Sequence, residues 1–147
     1  MESLPDRFAG PGPLVHPKNA AFWSHIAAGH LTLQRCSRCQ VLRFPVAPVC
    51  PACLSFDFEW HEIAPFGTVP AAIEIGRALG NPRWAEATPF RGGLVDMEAG
   101  VRLPGRIFCD CGAAAHHGTP VTAVVIQTVS ETPIYGFVHA CVAGGAD

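Results

Sequence analysis

A mainly β protein, with one short helix near its N-terminus, follows from three features of the 147-residue sequence. Two C-x2-C pairs, Cys36–Cys39 and Cys50–Cys53, stand ten residues apart. Downstream come five segments rich in Val, Ile and aromatic residues, separated by Gly, Pro and Asp turn signals. Upstream, Phe22, Trp23 and Ile26 share one face at helical spacing. The expected organisation is an N-terminal arm and helix over residues 1–29, a cysteine-bracketed ribbon over 30–56, and an OB-type β-barrel over 57–147.

Each element has its own reason. Pro5, Pro11, Pro13 and Pro17, with Gly10 and Gly12, make an extended arm, because proline fixes φ and removes a donor. Asn19 is placed to cap the helix and Gly29 to end it. His30 to Arg35 alternates, with Leu31 and Leu33 on one side, and reads as a strand entering the first cysteine pair. Val41 to Pro45 is a second short strand, and Phe56, Phe58 and Trp60 alternate with acidic and histidine residues in a third. The later strands are expected at Gly67–Gly76, Gly93–Met97, Val101–Cys109, Val121–Ser130 and Ile134–Ala140. Pro70 argues for an edge or a bulge in the first of these. Glu98-Ala-Gly100 turns a hairpin between the second and third. Five such strands fit the OB fold, whose closure also removes the open edges an apolar chain cannot leave exposed. Cys111 to Gly118 is expected to form a single helical turn. The segment Arg77 to Arg91 is an irregular loop whose Trp84 either serves function or caps the barrel core.

The cysteine spacing carries the chemistry. A C-x2-C turn places two thiolates on one side of a backbone knuckle, and two facing knuckles make a closed tetrahedral sulfur site. Four soft ligands with no vacant position suit structural Zn2+, held by Cys36, Cys39, Cys50 and Cys53. A rubredoxin-type iron uses the same donors. Disulfides need an oxidising compartment, and seven cysteines is an odd number. A redox C-x-x-C pair lacks its βαβ setting.

Composition narrows the function. Charged residues make up 15 % of the chain against a usual value of about a quarter, and the formal net charge is −2. So few charges point to a surface partly covered by another protein. There is no basic stripe for duplex binding and no apolar run of the ~18 residues that a membrane span needs. Glu2, Pro5 and Asp6 replace the basic start of a targeting peptide, so a cytoplasmic protein is expected.

The ordered set FWSHIAAGHLTLQRCSRCQVLRFPVAPVCPACLSFDFEW, then GTV and a β domain, resembles the acyl-CoA-associated proteins that pair a rubredoxin-like zinc ribbon with an OB fold. The resemblance spans Phe22 to about Ala140. It implies a noncatalytic accessory subunit of a thiolase-superfamily complex, thiolase, aldolase or acyltransferase, making or breaking carbon–carbon bonds beside a CoA thioester. In such complexes the partner supplies the catalytic residues, while the zinc-ribbon protein supports assembly and the CoA and acyl channel. The Cys109-Asp-Cys111 and His116-His117 pairs lie outside the family pattern.

No catalytic set competes with that reading. His139 and Cys141 share one strand face, yet no oxyanion motif accompanies them. A second metal held by Cys109, Cys111, His116 and His117 is conceivable by residue type but is not expected. Arg35, Arg38 and Arg43 cluster on the ribbon and are expected to contact the CoA nucleotide or an acidic patch on the partner. So few cations suit one CoA better than a polyanion, which argues against nucleic acid. A stand-alone acyl-CoA binder, or a single-strand nucleic-acid module, is the alternative.

Overall fold

A computed structural model describes residues 1–4, 10–109 and 115–139. Its elements are β1 (Ser3–Leu4), α1 (Ala20–Ala27), β2 (Thr32–Cys36), β3 (Leu42–Arg43), β4 (Phe58–Glu62), β5 (Phe66–Ile75), α2 (Pro82–Glu86), β6 (Phe90–Met97), β7 (Arg102–Cys109), β8 (Thr119–Ile126) and β9 (Ile134–His139). No helix among the described residues is long and apolar enough to cross a membrane.

Two sheets result. The first is the ribbon, ordered β3-β2-β4 and antiparallel throughout. The sequence pattern reads the strand of Phe56, Phe58 and Trp60 as leading from the ribbon into the OB domain, which it starts at residue 57. The structure instead pairs it with β2 from Thr32↔Glu62 to Cys36↔Phe58. Alternation reveals which face a residue takes but not which strand lies beside it, so this pairing is a tertiary choice.

In the second sheet β5 pairs with β6, β6 with β7, β7 with β9, β9 with β8, and β8 with β5. The β7–β9 contact is parallel and the other four are antiparallel. This is the strand arrangement of an OB fold. The register of β5 against β6 slips between Thr68 and Ala71, around Pro70. A proline lacking its N–H at that point makes a bulge the cheapest solution, as expected. β1 adds itself in parallel to β8 at Val125 and Ile126, beyond the stretch that pairs with β5. The N-terminal ammonium donates to the Gly29 carbonyl at 2.6 Å, so the start of the arm lies against both the sheet and the end of α1.

α1 is present, but Asn19 does not cap it. Its Oδ1 accepts from the His16 N–H at 2.7 Å and its Nδ2 donates to the Leu14 carbonyl at 3.1 Å. The side chain is spent on the turn before the helix and is unavailable to the first helical N–H groups. Most of the expected turn at Cys111–Gly118 lies outside the described residues. The loop after β5 holds the five-residue α2, capped by the Asn81 side chain, which accepts from the Arg83 N–H.

One hydrophobic core runs through both sheets. Phe22, Ile26, Leu31 and Leu33 from the helix and ribbon join Val69, Val95, Leu103 and Phe137 of the OB sheet. Phe22 sits at the junction, its ring centroid 4.9 Å from Trp23, 5.9 Å from Phe44 of the ribbon and 6.1 Å from Tyr135 of β9. The Tyr135 hydroxyl donates to the Pro104 carbonyl at 2.6 Å, which satisfies the polar end of a buried ring.

Candidate metal centre

The knuckles are near copies of one another. In each, the residue after the second cysteine donates its N–H to the carbonyl of the first: Gln40 to Cys36 at 3.0 Å and Leu54 to Cys50 at 2.9 Å. Closing so tight a turn drives both residues into the left-handed region, with φ of 65° at Gln40 and 61° at Leu54.

All four sulfurs lie within 4.8 Å of one another, and the Cys36–Cys53 and Cys39–Cys50 pairs are both 3.5 Å apart. A disulfide would need about 2.05 Å. A tetrahedron with Zn–S bonds of about 2.3 Å has edges of about 3.8 Å, so the spacing fits four thiolates around one zinc. Backbone donors prepare them. The N–H groups of Cys39 and Arg38 point at Cys36 and hold its thiol down to about 6, against the opposing effect of burial. The N–H groups of Cys53 and Ala52 lower Cys50 in the same way. Cys39 moves the other way, up to about 12: the Val41 N–H favours its thiolate, but burial and the sulfurs of Cys50, Cys53 and Cys36 outweigh it. A divalent cation at the centre would take the place of the proton that Cys39 otherwise keeps.

The three ribbon arginines do not converge. Arg35 is held by Glu59, with its Nε 2.9 Å from Oε1 and its Nη2 on the same oxygen. Arg38 is exposed on the first knuckle. Arg43 is 4 % exposed, with its guanidinium carbon 5.1 Å from the centroid of Phe58. Arg43 pairs with Gln34, and Arg35 with Leu42, so Arg35 and Arg43 lie on opposite faces of the ribbon. Gln34 was not singled out in the sequence. It is buried, and its Oε1 accepts from the Ala47 N–H at 2.8 Å, tying the loop before the second knuckle to β2. The signal for it was parity, since Thr32, Gln34 and Cys36 share one strand face.

Away from the ribbon, His139 Nδ1 lies 3.3 Å from the Cys109 sulfur, across the parallel β7–β9 pair. Cys111 and Cys141, which entered the other readings of this region, lie outside the described residues. A thiol beside an imidazole is not by itself a nucleophile with an oriented base and a charge-stabilising site. The four ribbon cysteines are the one cluster of three or more metal-binding side chains among the described residues. Trp84 packs against Phe90 at 5.5 Å, and with Trp23, Ile75, Phe90 and Tyr135 it walls a cavity of about 660 Å³ over β5–β7.

The model of the ChsH2 rubredoxin-like zinc ribbon domain matches residues 23–59, and that of the ChsH2 C-terminal OB-fold domain matches residues 60–126. The chain belongs to the ChsH2 family. It is similar to a chain of the Ltp2–ChsH2(DUF35) aldolase, with a TM-score of 0.73 and 29 % identity over 86 % of this chain and 98 % of that one. A DUF35-family protein of unknown function from Sulfolobus solfataricus shares the fold, with a TM-score of 0.50 and 14 % identity over 79 % of this chain and 87 % of that one. A probable enoyl-CoA hydratase alpha subunit of Thermomonospora curvata is 36 % identical over 93 residues, 63 % of this chain. The chain spans 28 % of that relative's length. The rubredoxin-like ribbon and the four-cysteine cluster together mark a metal site of the zinc type.

Proposed function

We propose that this chain is a noncatalytic, zinc-binding accessory subunit of a thiolase- or aldolase-type complex that forms or cleaves carbon–carbon bonds in acyl-CoA thioesters. The observation that carries this reading is the likeness to a chain of the Ltp2–ChsH2(DUF35) aldolase over 98 % of that chain. Cys36, Cys39, Cys50 and Cys53 hold the metal, which supplies shape and no open coordination position. The three parts of the chain then divide the work. The ribbon and its helix form a platform for the partner, and the OB domain contributes a wall to the partner's acyl channel. The apolar cavity bounded by Trp23, Trp84 and Phe90 supports that last assignment, because it is concave, aromatic and within the size range of ligand sites. Of the ribbon arginines, Arg38 is the one both exposed and outside the ion pairs described, and it is the candidate contact for the CoA nucleotide or an acidic partner surface.

The test is coexpression with a thiolase-superfamily protein encoded beside it. A hetero-oligomer that stays together through size exclusion is expected. A chain that elutes alone, with the neighbouring protein fully active without it, overturns the reading. The hydratase name of the Thermomonospora curvata relative favours a second reading in which the partner is an enoyl-CoA hydratase subunit. The same coexpression with a hydratase in place of the thiolase separates the two.

A further inference from the structure

Arg43 presents a physical problem that the zinc site answers. Its side chain is 4 % exposed, and its Nε, Nη1 and Nη2 are all buried without a hydrogen-bond partner. An arginine does not shed its charge, and a buried unpaired cation is strongly unfavourable. The face of Phe58, 5.1 Å from the guanidinium carbon, offsets only part of that. No carboxylate bonds to Arg43 among the described residues.

The ribbon's strand order shows where the charge lies. Arg43 stands on β3 and Phe58 on β4, with β2 between them. To lie over Phe58 the side chain must cross β2. Phe58 is the cross-strand partner of Cys36, and Arg43 that of Gln34, two residues earlier on the same strand face. The guanidinium therefore lies over β2 between the rows of Gln34 and Cys36, on the face that carries Cys36. Four thiolates around one divalent ion leave a net charge of about −2 at that end of the sheet.

We propose that Arg43 is the internal counter-charge of the zinc tetrathiolate, a positioning residue acting through the field it places on Cys36 rather than by ligation. Each half of the arrangement is unfavourable alone: the cluster is a buried anion and Arg43 a buried cation. Together each offsets part of the other's cost, since a single guanidinium cancels half of the cluster's charge and the attraction is stronger in a buried setting than in water. The inference concerns the metal site alone and holds whether or not the chain has a partner.

The experiment compares the zinc-loaded full chain with its Arg43→Met and Arg43→Lys variants, by equilibrium competition against a colorimetric zinc chelator. Arg43→Met is expected to weaken zinc at least tenfold, and Arg43→Lys, which keeps a charge, to lose less. Thermal stability is measured in parallel with zinc and with chelator in excess. Counter-charge predicts that Arg43→Met lowers the melting temperature of the zinc form and leaves the chelated form unchanged or raised. Unaltered zinc affinity in Arg43→Met, or equal destabilisation with and without metal, overturns the proposal and leaves Arg43 a packing residue. If Arg43→Met does not fold, the affinity of Arg43→Lys decides: a value equal to or below that of an Arg43→Gln control overturns the proposal.

Discussion

The interiors of the two sheets differ in kind. In the ribbon strands and knuckles the buried residues are Thr32, Leu33, Gln34, Cys36, Arg43 and Cys50, of which one is a simple hydrocarbon. In the OB strands they include Val69, Val95, Leu103, Ile107, Val125 and Phe137, with the hydroxyl-bearing Thr119 and Tyr135 the exceptions among the described residues of β5–β9. The OB sheet buries mostly apolar side chains, so hydrophobic burial is its main source of stability. The ribbon interior is polar and charged, and hydrophobic burial cannot account for it. It needs a metal to convert four costly thiolates into a favourable centre, and it reaches the shared core through its own Leu31 and Leu33 together with Phe22 and Ile26 of α1. Stability in this molecule is thus of two types meeting at one helix.

Replacing Cys50 by Ser attacks the first type and has the largest expected effect. Zinc content should fall to near zero and the ribbon amides should lose their protection from hydrogen exchange, because metal binding and folding are linked there. The β5–β9 amides should stay protected. Loss of protection across both sheets together would show that the ribbon and OB domain do not separate as the comparison requires. Replacing Phe22 by Ala attacks the junction. Truncating a fully buried phenylalanine costs about 3–5 kcal/mol, and here the loss should appear in the melting of both regions. A loss confined to the ribbon would place the junction elsewhere.

The smallest effect has the opposite sign. Leu54 holds φ of 61° with its side chain 72 % exposed, so it bears the left-handed conformation with little packing in return. Leu54→Gly should stabilise the zinc form by about 0.5–1 kcal/mol, once glycine's extra unfolded-state entropy is set against the relieved strain. Chemical denaturation followed by ribbon exchange would measure it. A destabilised variant would mean that the exposed leucine has a contact of its own.

The sequence was most readable where a local rule decides the outcome. Two C-x2-C pairs define the sulfur cluster because ligand spacing is a property of the turn itself. The five OB strands were visible in their β-branched runs and turn residues, and Pro70 announced its bulge. The reading failed where the outcome depends on neighbours far away in the chain. Nothing in Phe58–Glu62 says that it pairs with β2. Asn19 has the right residue type for a cap, yet the His16 N–H competes for its oxygen. Arg43 resembles a surface cation by type, and only the strand order shows it crossing the ribbon. The cavity over β5–β7 draws on the arm, α1 and the α2 loop at once, so no single segment carries its signature.

Phe22 also limits how the family can be recombined. Its ring leans on Phe44 on one side and Tyr135 on the other, so a chimera that exchanged residues 30–56 alone would join a foreign ribbon to a resident helix shaped for another surface. The transplantable unit is the helix and ribbon together, with the Tyr135 position of the recipient matched to the incoming aromatic. Libraries cut at the cysteine motif should yield mostly insoluble grafts, and those cut ahead of Asn19 should retain the parental melting behaviour.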